Sequence, residues 1–300
     1  MNNKIIIIMI IVIALGASVY IIYNNLFDDK IEVADNSNKA AANVSENVES
    51  SAQETEQTNS DIIEDAMKII FLHHSTGENI WNGGVANWFN KYNADNGTNY
   101  QITEQNFPKD SPYGWENYPY DYWNIWVNHA GDSKYQDEPT LEILTKQYNV
   151  IIWKHCFPVS DIEANTGSPD VSSSEKTIEN YKLQYNALKA KIKEFPNTKF
   201  IVWTGAAQVE NATTEAMAKR AREFFQWVKN EWNEPGDNIF IWDFYEYETE
   251  GGLYLLPAYA ESADDSHPKA EFSQNLAPLL GQHIVYVIEG SGDRVNAPVE

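Results

Sequence analysis

The sequence predicts an α/β fold, a mostly parallel sheet covered by helices on both faces, preceded by a membrane-spanning N-terminal helix. Three observations predict it. Short apolar runs with no polar alternation recur along the chain, at residues 69–72 (IIFL), 150–153 (VIIW), 200–203 (FIVW) and 239–242 (IFIW). Such runs are the signature of strands buried on both faces. Between them lie segments with apolar residues at steps of three and four, so strand and helix alternate, the pattern of a parallel sheet. Residues 5–23 (IIIIMIIVIALGASVYIIY) carry no charge at all.

That first run is long enough to cross a bilayer, since nineteen residues at helical rise span about 28 Å. Lys4 precedes it and Asp28 and Asp29 follow, so the basic end stays in the cytoplasm and the rest crosses. A cleaved signal peptide is the competing reading. Length favours the anchor, because a signal core is shorter and the apolar residues here run on past Ala14-Leu15-Gly16. Either way the remainder lies outside the cytoplasm, as a single-pass membrane protein or, after cleavage, a secreted one. Residues 1–24 are assigned to this segment. Residues 25–66 form an acidic linker, with eleven acids against Lys30 and Lys39 and no aromatic after Phe27. Its composition cannot bury enough apolar surface to offset ordering entropy. Residues 67–288 form the domain and 289–300 a tail.

Within the domain, residues 68–73 make the first strand and 81–92 the first helix. Residues 100–105 make a second, less apolar strand, and 149–154 a third. The helix over 176–195 presents Ile178, Tyr181, Tyr185, Leu188, Ile192 and Phe195 on one face, with Ser172 and Glu175 as a capping box before it. Residues 199–204 make a strand and 215–232 a helix whose inner face holds Met217, Ala221, Phe224, Val228 and Trp232. Residues 238–244 make the last strand. The closing helix, 269–287, turns Phe272, Leu276, Leu279 and Val287 inward.

The composition excludes some functions. A net charge of −23 repels nucleic-acid phosphates and anionic lipid alike. Cys156 is the only cysteine, so no intramolecular disulfide forms. Ten Trp and seventeen Tyr give a high aromatic content, with Trp81, Tyr113, Trp115, Tyr118, Tyr120, Tyr122 and Trp123 in expected loops or their edges. Such rings stack on sugar faces or serve as ordinary packing; Trp81 and Trp115 are the candidates for contact with substrate.

Two motifs carry chemistry. His73-His74-Ser75-Thr76-Gly77 follows the first strand, and Asp264-Asp265-Ser266-His267-Pro268 precedes the last helix. Ligands in parallel α/β sheets sit beyond the carboxyl ends of the strands, and both motifs fall on that edge. One offers a hydroxyl. The other offers an imidazole with Asp264 three residues before it, within one turn. These are a nucleophile, a base and a group that orients the base. Gly77 is expected to let the backbone turn tightly and present amides to an oxyanion. His74 is expected to shape the site and His73 to pack in the strand. A metal site built from His73, His74, Asp264 and His267 is the weaker reading, because adjacent strand residues point to opposite faces.

A serine after the first strand and Asp-x-x-His before the final helix resemble the SGNH (GDSL-like) hydrolases, over roughly residues 68–287. The resemblance implies a flavodoxin-like three-layer α/β/α sandwich, Ser75 as nucleophile, His267 as base, Asp264 as its orienting carboxylate, and no cofactor. His73-His74-Ser75 stands where the family has Gly-Asp-Ser, as in a divergent branch. The family's second block would place an oxyanion glycine at Gly114. Its third block ends in Gly-x-Asn-Asp, and here the strand runs into His155-Cys156-Phe157-Pro158-Val159-Ser160 without an asparagine. Ser160 or a backbone N–H near Cys156 would then donate, or the donor is missing. Cys156 itself reads as a small buried hydrophobe. The expected activity is hydrolysis of an O-acyl, chiefly O-acetyl, ester on a carbohydrate. The alternatives are an O-acyltransferase and a non-catalytic glycan-binding or assembly module. The expected partners are an acylated carbohydrate or other small ester, and a membrane through the N-terminal helix.

Overall fold

The computed structural model describes residues 66–292. The apolar run at 5–23, the linker up to residue 65 and the tail from 293 lie outside them. Five strands form one wholly parallel sheet in the order β2-β1-β3-β4-β5, from β1 (Met67–His73), β2 (Tyr100–Asn106), β3 (Val150–Trp153), β4 (Lys199–Trp203) and β5 (Ile239–Trp242). This is the flavodoxin-type order, and its strand sequence reverses direction between β1 and β3. The crevice beyond the carboxyl ends of those two strands is where such sheets place ligands.

The uninterrupted apolar runs have a direct consequence. Successive side chains leave a strand on opposite sides, so each run feeds two cores. Ile70, Leu72, Ile151, Trp153, Phe200 and Val202 face α5 (Ile178–Ile192) and α6 (Glu215–Trp227). Ile69, Phe71, Val150, Ile152, Ile201 and Trp203 face α1 (Ser75–Asn82), α2 (Val85–Asn96) and α8 (Ala270–Ile288). Three layers result. Each fully buried Leu, Ile or Phe contributes roughly 1.5–3 kcal/mol of transfer free energy. β2 and β5 are the edge strands; β2 is the exposed one, and its alternating Ile102 and Thr103 show why its run is less apolar.

The structure differs from the sequence expectation in the closing helix, where Leu279 is exposed rather than inward, and at four further places. The helix expected over 81–92 is two helices, broken at Gly83-Gly84, where Gly84 takes φ 116°; α1 begins at Ser75 itself. The cap of α5 is Thr177, whose hydroxyl accepts from the Asn180 N–H, while Ser172 bonds to Asp170. Short helices α3 (Pro119–Trp123), α4 (Leu141–Leu144) and α7 (Phe244–Thr249) were not foreseen. Finally, residues 260–268 form an antiparallel hairpin of β6 (Ala260–Ser262) and β7 (Asp265–Pro268) before α8. Among the described residues no helix is long and apolar enough to cross a membrane.

Candidate functional site

β1 delivers Ser75 to the carboxyl edge, at the N-terminus of α1 and half-buried. Gly77 serves close packing rather than a tight turn: a Cβ there would lie 2.4 Å from His73 Cβ and 2.9 Å from Lys154 Cδ. The first N–H groups of a helix have no intrahelical acceptor; that of Thr76 is taken by the Cys156 thiol, which leaves the Ser75 N–H as the donor at the serine.

β7 delivers His267. In the hairpin Ser266 and Pro268 point inward and are buried, while Asp265 and His267 point outward and are part-exposed. The Val209 N–H donates to Ser266 Oγ at 3.1 Å and fixes the hairpin from beneath. His267 Nδ1 and its backbone N–H both donate to Asp265 Oδ1, at 2.6 and 2.9 Å. These two bonds hold the Asp265 carboxyl below the usual range. With Nδ1–H donated, Nε2 is the free basic nitrogen. Phe157 stands edge-on to the imidazole, with ring centroids 5.2 Å apart.

The carboxylate that meets His267 is therefore Asp265, not Asp264. The expectation of Asp264 assumed a turn, where residues i and i+3 meet. In an extended strand residues i and i+2 share a face, which selects Asp265. Asp264 sits in the hairpin turn, exposed, and accepts from Asn211 Nδ2 at 3.0 Å.

Ser75 and His267 come to one edge because α1 packs on β7. Asn79, one helical turn beyond Ser75, donates from Nδ2 to the Pro268 carbonyl at 3.1 Å. Ser75 Oγ is engaged by Cys156 Sγ at 3.2 Å; no hydrogen bond between Ser75 and His267 occurs among the described residues. Hydrogen bonds of catalytic groups commonly tighten only when substrate binds.

Both expected oxyanion donors are otherwise committed. The Gly114 N–H donates to the Asp110 carbonyl at 2.6 Å in an exposed turn with φ 75°. Ser160 is buried, and its hydroxyl donates to the Ala206 carbonyl at 2.6 Å. The Cys156 N–H is likewise used, by the Asn117 carbonyl at 3.3 Å. Polar groups at buried positions find local partners because leaving them unpaired is costly, and loop backbone satisfies them here.

The aromatics mostly pack. Trp115, Tyr118, Tyr122 and Trp123 are buried in one core, and Trp81 is half-buried against the core on the opposite face of the sheet. Tyr113, at 45% exposure, is the open ring of that loop. His73 is buried against Glu104, with Nε2 to Oε2 at 2.7 Å, and burial drives its pKa down to about 3. His74 is half-buried at the N-cap of α1, and burial lowers it too. Among the described residues no group of His, Cys, Asp and Glu gathers as metal ligands.

Sequence reasoning missed Lys154 and Glu248 at the site and took Cys156 only as a small buried hydrophobe. Lys154, fully buried at the end of β3, Cys156, bonded to Ser75, and Glu248 of α7, also buried, form a group beneath the serine. A lysine closing an apolar strand was the one visible signal. A cavity of about 300 Å³ opens beside the hairpin, lined by Val209, Glu210, Asn211, Leu253, Tyr254, Leu255, Ala263 and neighbours. Its walls come from the loop after β4, the segment after α7 and the hairpin turn, and its volume is at the lower end of the ~300–1,000 Å³ of small-molecule sites.

No family model and no curated protein matches the sequence. Among solved structures the chain is similar to an acetyl xylan esterase, with 14% identity over 72% of this chain and 99% of that one and a TM-score of 0.47. It is similar to a gut microbial diltiazem-metabolizing enzyme, with 12% identity, 76% and 47% coverage and a TM-score of 0.44. A carbohydrate esterase whose active site is described as having divergent catalytic and non-catalytic binding functions gives 13% identity, 73% and 64% coverage and a TM-score of 0.34.

Proposed function

We propose that the domain is a serine esterase that removes O-acyl, chiefly O-acetyl, groups from a carbohydrate outside the cytoplasm, tethered to the membrane by its N-terminal apolar segment. One observation carries the reading: a histidine held in its reactive tautomer by Asp265 stands on the strand that packs against the helix opening with Ser75. His267 Nε2 takes the Ser75 proton as Oγ attacks the ester carbonyl. The Ser75 N–H, at the positive end of α1, faces the oxyanion, while the Thr76 N–H bonds to the Cys156 sulfur. His267 then passes the proton to the departing alcohol, and water releases the acyl group by the reverse sequence. The cavity beside the hairpin supports a small alcohol: Tyr254 supplies a ring, and Glu210 and Asn211 supply hydrogen-bonding groups for hydroxyls. Most of the loop aromatics give no support to the sugar, since the core absorbs them, and Tyr113 alone among those of residues 113–123 is an exposed ring.

The second reading is a non-catalytic glycan-binding module. It is favoured by the Ser75–Cys156 bond and by the commitment of Gly114 and Ser160 elsewhere. One experiment separates the two. The full chain, Ser75→Ala and His267→Ala are treated with a fluorophosphonate probe and assayed on p-nitrophenyl acetate and acetylated oligosaccharides. Labelling at Ser75, with turnover lost in both variants, supports the esterase. A folded wild type that neither labels nor turns over rejects it, and binding of unmodified glycans then decides for the module.

A further inference from the structure

The esterase reading leaves unused the polar group beneath Ser75. β3 ends at Trp153, and Lys154, His155 and Cys156 follow it into the interior. Lys154 is fully buried, and its Nζ has no hydrogen-bond partner among the described residues. Its stem passes under Gly77, where only a glycine leaves room. Cys156 Sγ lies 3.2 Å from Ser75 Oγ and 3.6 Å from Thr76 Oγ1. On the far side Glu248 accepts the Ala207 N–H through Oε1, while its Oε2 has no partner among the described residues.

A buried ammonium without a partner is strongly destabilising unless an anion compensates it. Two groups are candidates. Burial pushes the Glu248 carboxyl well above its ordinary range, which favours the neutral acid. Burial also pushes the Cys156 thiol up, but the Lys154 ammonium and the Ser75 and Thr76 hydrogen bonds outweigh it, and the net shift is downward. Lys154 itself falls to about 8 through desolvation, with Cys156 and Glu248 opposing the fall. His73, His74 and His155 complete the surroundings; burial lowers all three toward the neutral form.

We propose that Cys156 is a positioning residue for Ser75: a thiolate, compensated by the buried Lys154 ammonium, that receives the Ser75 O–H and fixes the rotamer of the nucleophile. The proposal rests on the reading of Ser75 as nucleophile. A thiolate is a hydrogen-bond acceptor only, so the serine must donate to it and Oγ keeps its lone pairs for attack. The hydroxyl turns from sulfur to His267 Nε2 when the ester enters.

Two measurements on the full chain test it. The ultraviolet thiolate band, taken as the difference from Cys156→Ala, is titrated in the wild type, Ser75→Ala and Lys154→Met. Cys156 is the only cysteine, so the band is unambiguous. The expected wild-type midpoint lies below the ordinary thiol value of about 8.5, and both substitutions raise it. Should Lys154→Met not fold, Ser75→Ala carries the titration alone. The rate of fluorophosphonate labelling at Ser75 is then followed against pH. Cys156→Ala is expected to lower it about three- to tenfold, in line with freeing a side chain among three staggered rotamers plus one charge-assisted bond. Cys156→Ser should recover most of the rate but lose the pH limb contributed by the thiol. A thiol midpoint that ignores Ser75→Ala, or a labelling profile indifferent to both Cys156 substitutions while the wild type labels, overturns the proposal. A wild type that never labels removes the esterase reading and the proposal with it, and the serine probe reports that independently of the thiol titration.

Discussion

The choice between Asp264 and Asp265 is the sharpest consequence of the hairpin. Asp265→Asn keeps the size and one acceptor of the side chain but removes its charge. His267 then loses the partner that holds Nδ1–H at 2.6 Å and stabilises the imidazolium formed during attack. In triads whose carboxylate is buried, that change costs about 10⁴ in kcat. Here the side chains of His267 and Asp265 are 30% and 45% exposed, so solvent screens the pair and weakens its contribution. The expected loss is about 10²–10³ in kcat, or roughly 3–4 kcal/mol of barrier, with KM little changed. Asp264→Asn removes a turn contact with Asn211 and should stay within about twofold, as exposed substitutions away from a site do. Steady-state hydrolysis of p-nitrophenyl acetate reads both, with thermal melts to confirm that the variants fold. Loss of activity in Asp264→Asn with Asp265→Asn near wild type would refute the strand-parity argument and return the segment to a turn. Near-wild-type rates in both would remove the orienting carboxylate altogether.

Three further outcomes follow from the packing. Gly77→Ala forces a Cβ to 2.4 Å from His73 Cβ; overpacking of this kind costs about 1–3 kcal/mol, so the melting temperature should drop and Ser75 labelling should slow together. His283, buried in α8 with its pKa lowered to about 4 by desolvation, stays neutral in the folded protein while the unfolded chain takes up a proton near 6.5. The unfolded state thus binds more protons between those values, and stability is lost as pH falls from about 6.5 to 4, by roughly 3 kcal/mol. Chemical denaturation across that window should show the loss, and His283→Leu should remove its share and leave the part due to the buried His73, His74 and His155. Tyr254→Ala in the cavity beside the hairpin should raise KM for an acetylated sugar several-fold while leaving p-nitrophenyl acetate turnover unaltered; equal effects on both substrates would place the alcohol elsewhere.

The parallel sheet was legible in the sequence because its signal is local. Runs such as Val150–Trp153 have no polar alternation, and only a strand buried on both faces tolerates that. The sequence also placed Ser75 and His267 on the carboxyl edge, since one follows β1 and the other precedes α8. The oxyanion residues were not legible: whether the Gly114 N–H or the Ser160 hydroxyl is free depends on Asp110 and Ala206 carbonyls brought near by the loops. Trp115 and its neighbours illustrate the same limit, because a loop-like spacing does not reveal that the loop folds back onto the sheet.

By itself the sequence determined the layers, the five strands of the parallel sheet and the edge to which Ser75 and His267 come, since these follow from periods of two and 3.6 residues along the chain. Only the tertiary structure decided which aspartate meets His267, because that depends on whether five residues form a turn or a strand, and the pairing of β7 with β6 settles it. It also decided that Ser75 meets Cys156, 81 residues away, above a buried lysine. No local periodicity encodes such a contact; it arises where the end of β3, the first turn of α1 and the helix α7 converge and exclude water.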